Sequence, residues 1–308
     1  MTSGQRTVRA AVELPPSVLL EQGHGGLPRL RVAGRGGSAE IYLQGAHVTA
    51  WRPTGGEPVI WLSRASNYSP GAPIRGGIPI CFPWFGPNAL DPSAPLHGFA
   101  RLQDWEIVEV NEVGDDVSLT FRLNDSEQTR ASAWPFRFEA TYRVVVGTTL
   151  QLSLEITNRS GGAVAFEEAL HTYFSVGDVR DTAVRGLAGA TYQDRVLGVT
   201  QVQQGVEPLH VENETDRLYL DSTGTVTIED TDGDRVIRVR KEGSDATVVW
   251  NPWIDKSKAM GDFGDDEWLE MICIEPCNAG SSEVLLDSGA RHRMTTTIDV
   301  LPAGSLEI

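Results

Sequence analysis

The feature that most constrains this chain is a long succession of short apolar runs punctuated by glycine and proline, with almost no helical periodicity. Runs at residues 30–33, 39–43, 48–51 and 59–62 follow one another with Gly and Pro between them. Val117, Leu119, Phe121 and Leu123 alternate with polar neighbours, which places them on one face of a strand. Two long runs, 136–146 and 150–157, meet at Gly147-Thr148-Thr149 and read as a hairpin. A second hairpin turns at residues 230–234, and residues 283–286 and 294–300 close the chain around Asp287-Ser288-Gly289. Residues 125–133 and 254–260 have room for a helical turn or two, and neither carries an apolar stripe over the length of a typical globular helix. Many short strands with turns between them predict an all-β fold, a large antiparallel sandwich. Residues 1–28 show little pattern beyond Pro15-Pro16 and the glycines at 23, 25 and 26, and read as an irregular lead-in. Residues 29–308 read as a single β-sandwich domain.

Composition narrows the function. The chain has 308 residues and a hydrophobic content of 40%, enough for a substantial core. A formal net charge of −16 argues against nucleic acid as a partner. No apolar run reaches membrane-spanning length, and the polar N-terminus has no signal-peptide core, so a soluble cytoplasmic protein is expected. Cys81, Cys273 and Cys277 sit in apolar surroundings and read as reduced thiols. Cys273 and Cys277 have no second Cys/His pair nearby in sequence, so no metal is expected. The charge also poses a constraint: an anionic ligand would need a local pocket of arginines built against the field of the whole molecule.

The stretch from Trp250 to Asn278 is the richest in chemistry. Residues 248–250 read as a strand end, residues 268–274 as a second, apolar strand, and Pro276 as its stop, because proline has no N–H for the ladder. Glu275 then sits where a buried strand opens out. Such a carboxylate is either bonded to structural donors or kept for chemistry. Trp250, Trp253 and Trp268 offer flat faces that suit sugar rings and protein cores equally. The acids Asp262, Asp265, Asp266 and Glu267 lack a calcium-loop spacing and read as a solvated loop.

Other segments carry candidates of their own. Arg75 precedes Gly76-Gly77 in a loop stiffened by Pro73, Pro79 and Pro83, which suits a guanidinium held in a fixed fork for phosphate or carboxylate. His97-Gly98-Phe99-Ala100-Arg101 adds two basic groups around a permissive glycine. Over residues 166–176, alternation puts Glu167, Ala169, His171, Tyr173 and Ser175 on a polar, aromatic face, opposite Phe166, Leu170, Phe174 and Val176. His171 on that face is either a solvated side chain or an acid–base group. Asp216, in Glu214-Thr215-Asp216-Arg217, reads as a turn residue or as a partner for a hydroxyl.

Taken together, Arg75-Gly-Gly-Ile-Pro, His97-Gly-Phe-Ala-Arg101, His171-Thr-Tyr-Phe, Glu214-Thr-Asp-Arg and Trp250-Asn-Pro-Trp through Glu275-Pro resemble the hexose-6-phosphate mutarotases. These glucose-6-phosphate 1-epimerases are a branch of the aldose 1-epimerase (galactose mutarotase-like) group. The motifs keep the family's order from about residue 30 to the C-terminus. The resemblance implies a β-supersandwich with a concave sugar site, no cofactor and a monomer acting on a small sugar phosphate. It implies His171 as acid, Glu275 as base, Arg75 and Arg101 on the phosphate, and His97 and Asp216 along the sugar. Some members carry Gln just before the His-Gly-x-Ala-Arg segment where this chain has Leu96, which bears on the preferred sugar. Anomerisation needs one base and one acid, and this pair of residues supplies them. Three rivals are weighed against it. A glycoside hydrolase would call for a second carboxylate flanking the bond. A sugar-binding module would not need both His171 and Glu275. A mutarotase of plain sugars would not need Arg75 and Arg101.

Overall fold

The computed structural model describes residues 12–305. Strands dominate it. The first four, β1 (Val18–Gln22), β2 (Pro28–Ala33), β3 (Gly37–Tyr42) and β4 (His47–Pro53), form a consecutive antiparallel sheet. The lead-in is therefore not irregular throughout: Val18–Gln22 pairs with β2 from Val18↔Val32 to Gln22↔Pro28. Its sequence, Val-Leu-Leu-Glu-Gln, is short and does not alternate cleanly, so pairing rather than pattern makes it a strand.

Two eight-stranded sheets carry the rest of the architecture. The back sheet begins with the meander β6 (Glu106–Val113), β7 (Asp116–Asn124), β8 (Phe138–Val146) and β9 (Leu150–Asn158). It continues through β22 (Arg291–Pro302), β18 (Arg235–Glu242), β17 (Val226–Asp230) and β13 (Thr182–Arg185). Both expected hairpins are present, β8–β9 and β17–β18. The front sheet runs β15 (Val199–Gln203), β14 (Thr191–Asp194), β16 (Thr215–Tyr219), β19 (Ala246–Asn251), β20 (Met271–Asn278), β11 (Glu168–Leu170) and β5 (Ile80–Cys81). The strand β12 (Tyr173–Ser175) also pairs with β20. A small pair, β10 (Val164–Phe166) with β21 (Val284–Leu286), stands apart. The helices are short: α1 (Glu127–Arg130), with a Ser126 capping box, and α2 (Trp253–Ala259). Among the described residues no helix is long and apolar enough to cross a membrane.

Burial follows the pleat. In β8 the buried positions alternate strictly, with Phe138, Ala140, Tyr142, Val144 and Val146 inside. Strands β19 and β20 differ, being buried at every position. One face of β20, with Ile272 and Ile274, joins the hydrophobic cluster, which also holds Leu152, Leu154 and Met294 of the back sheet. On the other face, Cys273 and Cys277 belong to the same cluster and Glu275 between them is fully buried. The strand does not end at Pro276, which pairs with Thr247 inside it. On the opposite edge β20 pairs with Tyr173–Ser175 and then with Glu168–Ala169, so residues 274–276 face the gap between two partner strands. Proline is tolerated where a strand meets such an interruption of its ladder.

A polar cluster crosses the sandwich. Glu168, fully buried on β11, accepts from His292 Nε2 of β22 at 2.9 Å and from Asn278 Nδ2 at 3.0 Å. Burial works against charge on His292, but the bond to Glu168 and its negative charge outweigh it and hold the imidazole above its usual pKa of 6.5. The stabilisation is therefore complete below pH 6.5 and is lost as pH rises through the higher folded value. In thermal melts at pH 6, His292→Gln should lower stability by roughly 1–3 kcal/mol, as for a hydrogen bond to a charged group. The gap to wild type should narrow as pH is raised to 8.5; a gap that stays constant would contradict this reading.

Candidate active site

Sheet register assembles the site. In one row across the front sheet, Asp216 pairs with Trp250, Trp250 with Cys273, and Cys273 with Tyr173. Two residues along, Leu218 pairs with Val248 and Val248 with Glu275. A third row holds Cys81, Ala169, Cys277 and Ala246. Period-two alternation puts all of these on one face. Small residues in the third row leave space beside Glu275, and aromatic rings in the first row wall it.

His171 falls between β11 and β12, where the strand expected over 166–176 breaks. Thr172 N–H turns back to the Leu170 carbonyl at 2.8 Å, and His171 N–H donates to the Pro79 carbonyl at 3.0 Å. The imidazole is buried rather than solvated, stacked on Tyr173 at 4.8 Å between centroids. His171 Nδ1 lies 3.3 Å from Glu275 Oε1. Glu275 is fully buried, and neither of its oxygens has a hydrogen-bond partner among the described residues; nor does His171 Nδ1. Unpartnered polar atoms at such depth are costly and rare, which makes the pair the candidate for acid–base chemistry. Burial, then the charge of Asp216, raises Glu275 well above the ordinary carboxylate range, while Arg195 and Arg101 pull it down. Burial, then His97, Arg101 and Arg75, lowers His171 well below 6.5. Both shifts favour the uncharged form of each partner, a carboxyl beside a neutral imidazole.

The basic residues converge on this pair, but they differ in state. Arg75 is gripped by Asp262, with Nε to Oδ1 and Nη2 to Oδ2 both at 3.2 Å, and its Nη1 donates to Tyr173 Oη at 3.1 Å. Asp262 is thus an ion-pair partner rather than a solvated loop residue. Its neighbour Phe263 is buried against Trp61 at 4.9 Å, which pins the loop. Glu267 is likewise buried, and accepts from Ser63 Oγ and the Arg64 and Gly264 N–H groups. Beneath Gly76, His47 Nε2 meets the Gly76 carbonyl at 2.8 Å. Arg101 donates from Nη2 to the Leu96 carbonyl at 2.8 Å, and its Nε is buried without a partner. No carboxylate pairs with Arg101 among the described residues, so burial lowers its pKa. Leu96 acts here through its backbone; its side chain is 55% exposed.

His97 adopts a positive φ of 62° and closes on Gly86 twice, N–H to carbonyl at 2.8 Å and Nδ1 accepting from Gly86 N–H at 3.2 Å. The second bond leaves the ring proton on Nε2. Burial and the nearby Arg101, Arg75 and Arg195 lower His97 to about 3, so it is a neutral donor at any working pH. Its ring stands 5.4 Å from His171 and 4.7 Å from Phe85. Sequence reasoning passed over Tyr173 as a partner, Asp262 and Arg195. The Arg195 guanidinium carbon lies 5.0 Å over the Phe85 ring, and Nη1 is 3.8 Å from Asp216 Oδ1.

His171, Cys273 and Glu275 also bring a nitrogen, a sulfur and a carboxylate oxygen within 4.8 Å, a ligand set a soft cation can use. Burial raises the Cys273 thiol well above its ordinary value, and Arg75 adds positive charge close by. A protonated thiol next to a guanidinium disfavours a metal ion.

A model of the aldose 1-epimerase family matches residues 29–299. A protein of Escherichia coli (strain K12) named "Putative glucose-6-phosphate 1-epimerase" is 37% identical over 256 residues, 82% of this chain and 84% of that one. A protein of Cenchrus ciliaris with the same name is 35% identical over 276 residues, 86% of this chain and 82% of the other. The crystal structure of a "putative mutarotase" from Salmonella typhimurium matches with a TM-score of 0.87 at 34% identity, over 96% of this chain and 97% of that one. The antiparallel sheets are those of a galactose mutarotase-like fold, as the sequence leads one to expect. The chain belongs to the aldose 1-epimerase family and is an epimerase.

The loop that carries His97 and Arg101 depends on Gly98. Its φ is +75°, and a Cβ there would lie 2.0 Å from the Phe82 carbonyl oxygen. Gly98→Ala should lower stability by about 1–3 kcal/mol, read as a fall in Tm. A Tm equal to wild type would mean that the loop is held less tightly than the geometry indicates.

Proposed function

We propose that this enzyme interconverts the α and β anomers of a hexose 6-phosphate, glucose 6-phosphate by the names its relatives bear. The observation that carries the reading is a buried acid–base pair, His171 and Glu275, near Arg101, a guanidinium that makes no ion pair with a carboxylate among the described residues.

In ring opening, Glu275 takes the proton of the C1 hydroxyl and His171 gives one to the ring oxygen. The C1–O5 bond breaks, O1 becomes the aldehyde oxygen, and no atom is gained or lost. Rotation about C1–C2 presents the other face, and the two proton transfers reverse as the ring closes. The charged arrangement, carboxylate with imidazolium, belongs to the cyclic sugar. The neutral arrangement, carboxyl with imidazole, belongs to the open aldehyde. Burial favours the neutral pair, so the cleft stabilises the state that follows ring opening. A phosphate dianion beside Arg75 and Arg101 would lie on the His171 side and favour its imidazolium, the form needed to begin. His97 Nε2–H and the Asp216 carboxylate are the proposed partners of the sugar hydroxyls.

The net charge of −16 repels a dianion at long range, so recognition rests on short, oriented bonds. The two arginines should not contribute equally. Arg75 already forms an ion pair with Asp262, and Arg101 forms none with a carboxylate among the described residues. Arg101→Ala should lower kcat/KM for glucose 6-phosphate by about ten- to a hundredfold, the cost of a lost bond to an ionised group, and Arg75→Ala by less. Anomer exchange followed by polarimetry or NMR on glucose 6-phosphate and on glucose tests this. Equal losses on both sugars would remove the phosphate from the assignment and favour a plain aldose as substrate.

A further inference from the structure

The cleft has two ends, and the phosphate accounts for one of them. Arg75 reaches His171 through Tyr173, whose hydroxyl it binds and whose ring stacks on the imidazole. In the row Asp216, Trp250, Cys273 and Tyr173, Tyr173 lies on one side of β20 and Asp216 on the other, with Glu275 two residues along β20 from Cys273. Arg75 therefore belongs to the His171 end, and Asp216 with Arg195 to the Glu275 end.

Arg195 is built into that end. It follows β14 directly, and its N–H donates to the Asp216 carbonyl at 2.8 Å. Because Asp194 pairs with Arg217, this bond puts Arg195 opposite Asp216, at the head of the row Asp216, Trp250, Cys273 and Tyr173. Its guanidinium lies over Phe85, which in turn meets His97 and stands 6.4 Å from His171. The cation–π contact holds the guanidinium over the Phe85 ring. The ion pair to Asp216 is long, at 3.8 Å, and leaves N–H donors to spare.

A pyranose bound for anomerisation has a fixed sense along this axis. O1 lies at Glu275 and O5 at His171. From O5 the ring runs to C5, C6 and the phosphate, toward Arg75 and Arg101. The other carbon bonded to C1 is C2, which then faces Asp216 and Arg195. We infer that Arg195, together with Asp216, contacts the 2-hydroxyl and makes this enzyme selective for aldohexose 6-phosphates that carry one. The assignment rests on the proposed anomerase reading and adds the position at which the sugar is recognised. Arg195 donates to O2 and Asp216 accepts its proton, so a sugar without O2 leaves a half-buried ion pair without its third partner. Sites that hydrogen-bond a hydroxyl discriminate strongly against the analogue without it.

The test compares glucose 6-phosphate with 2-deoxyglucose 6-phosphate, in wild type and Arg195→Met, by anomer exchange. Methionine keeps the apolar stem over Phe85 and removes the donors. The variant should lose about ten- to a hundredfold more in kcat/KM on glucose 6-phosphate than on the 2-deoxy sugar, any loss common to both reporting the charge that Arg195 sets beside Glu275. Wild-type preference for the 2-hydroxyl should then collapse. Equal losses on both sugars, or no loss on either, would overturn the Arg195 assignment and leave the anomerase reading standing. A wild type inactive on both sugar phosphates would overturn the proposed function, and the assignment with it.

Discussion

The structure turns on one buried pair. Glu275 and His171 sit 3.3 Å apart, without the hydrogen bonds that would settle either of them in a charged form. Taking a carboxylate and an imidazolium out of water is expensive, and their mutual attraction offsets it only when the geometry is good and the remaining lone pairs are satisfied. Here the cheaper arrangement is one proton held between two neutral groups. For an enzyme that must both remove and supply a proton within one catalytic cycle, that poise is useful. In the proposed reaction, the two arrangements of a single proton correspond to the two states of the sugar, ring and aldehyde.

The rest of the fold makes such a pair tenable. Strand β20 is covered on both faces, so Glu275 is shielded from solvent while Ile272 and Ile274 anchor the same strand in the core. The cations are held around the pair by loops with their own internal bonds. Asp262 fixes Arg75, the Leu96 carbonyl holds Arg101, and Gly86 clasps His97. Each of these side chains is oriented before any ligand arrives, which reduces the reorganisation needed on binding. The sandwich is tied together from within by Glu168 and His292, a polar link between sheets that lies on the side of β11 away from the cleft.

Much of this is legible in the sequence where one residue's neighbours along the chain determine its setting. Alternation in β7, β8 and β9 gives the back sheet, and Gly147 and the turn at 230–234 give its hairpins. Glu275 stands out because a carboxylate follows an apolar run, and His171 because it lies on the polar face of an alternating segment. Where partners come from far along the chain, local pattern is insufficient. Pro276 looks like a strand end because nothing local reveals that β20 faces a gap between two strands. Asp262 and Glu267 look solvated because their partners, Arg75 and Ser63, lie far earlier in the chain. Val18–Gln22 is a strand only because β2 receives it. Arg195 belongs to no motif, and only the register of β14 with β16 shows that it faces the cleft.

The central physical claim is that the free enzyme holds one proton on the pair and keeps it on Glu275. Direct observation is available from NMR of protein labelled with 13C in glutamate carboxyls and 15N in histidine rings, at neutral pH. The account predicts a protonated carboxyl signal for Glu275 and a neutral imidazole for His171. An ionised Glu275 facing an imidazolium at His171 would contradict it.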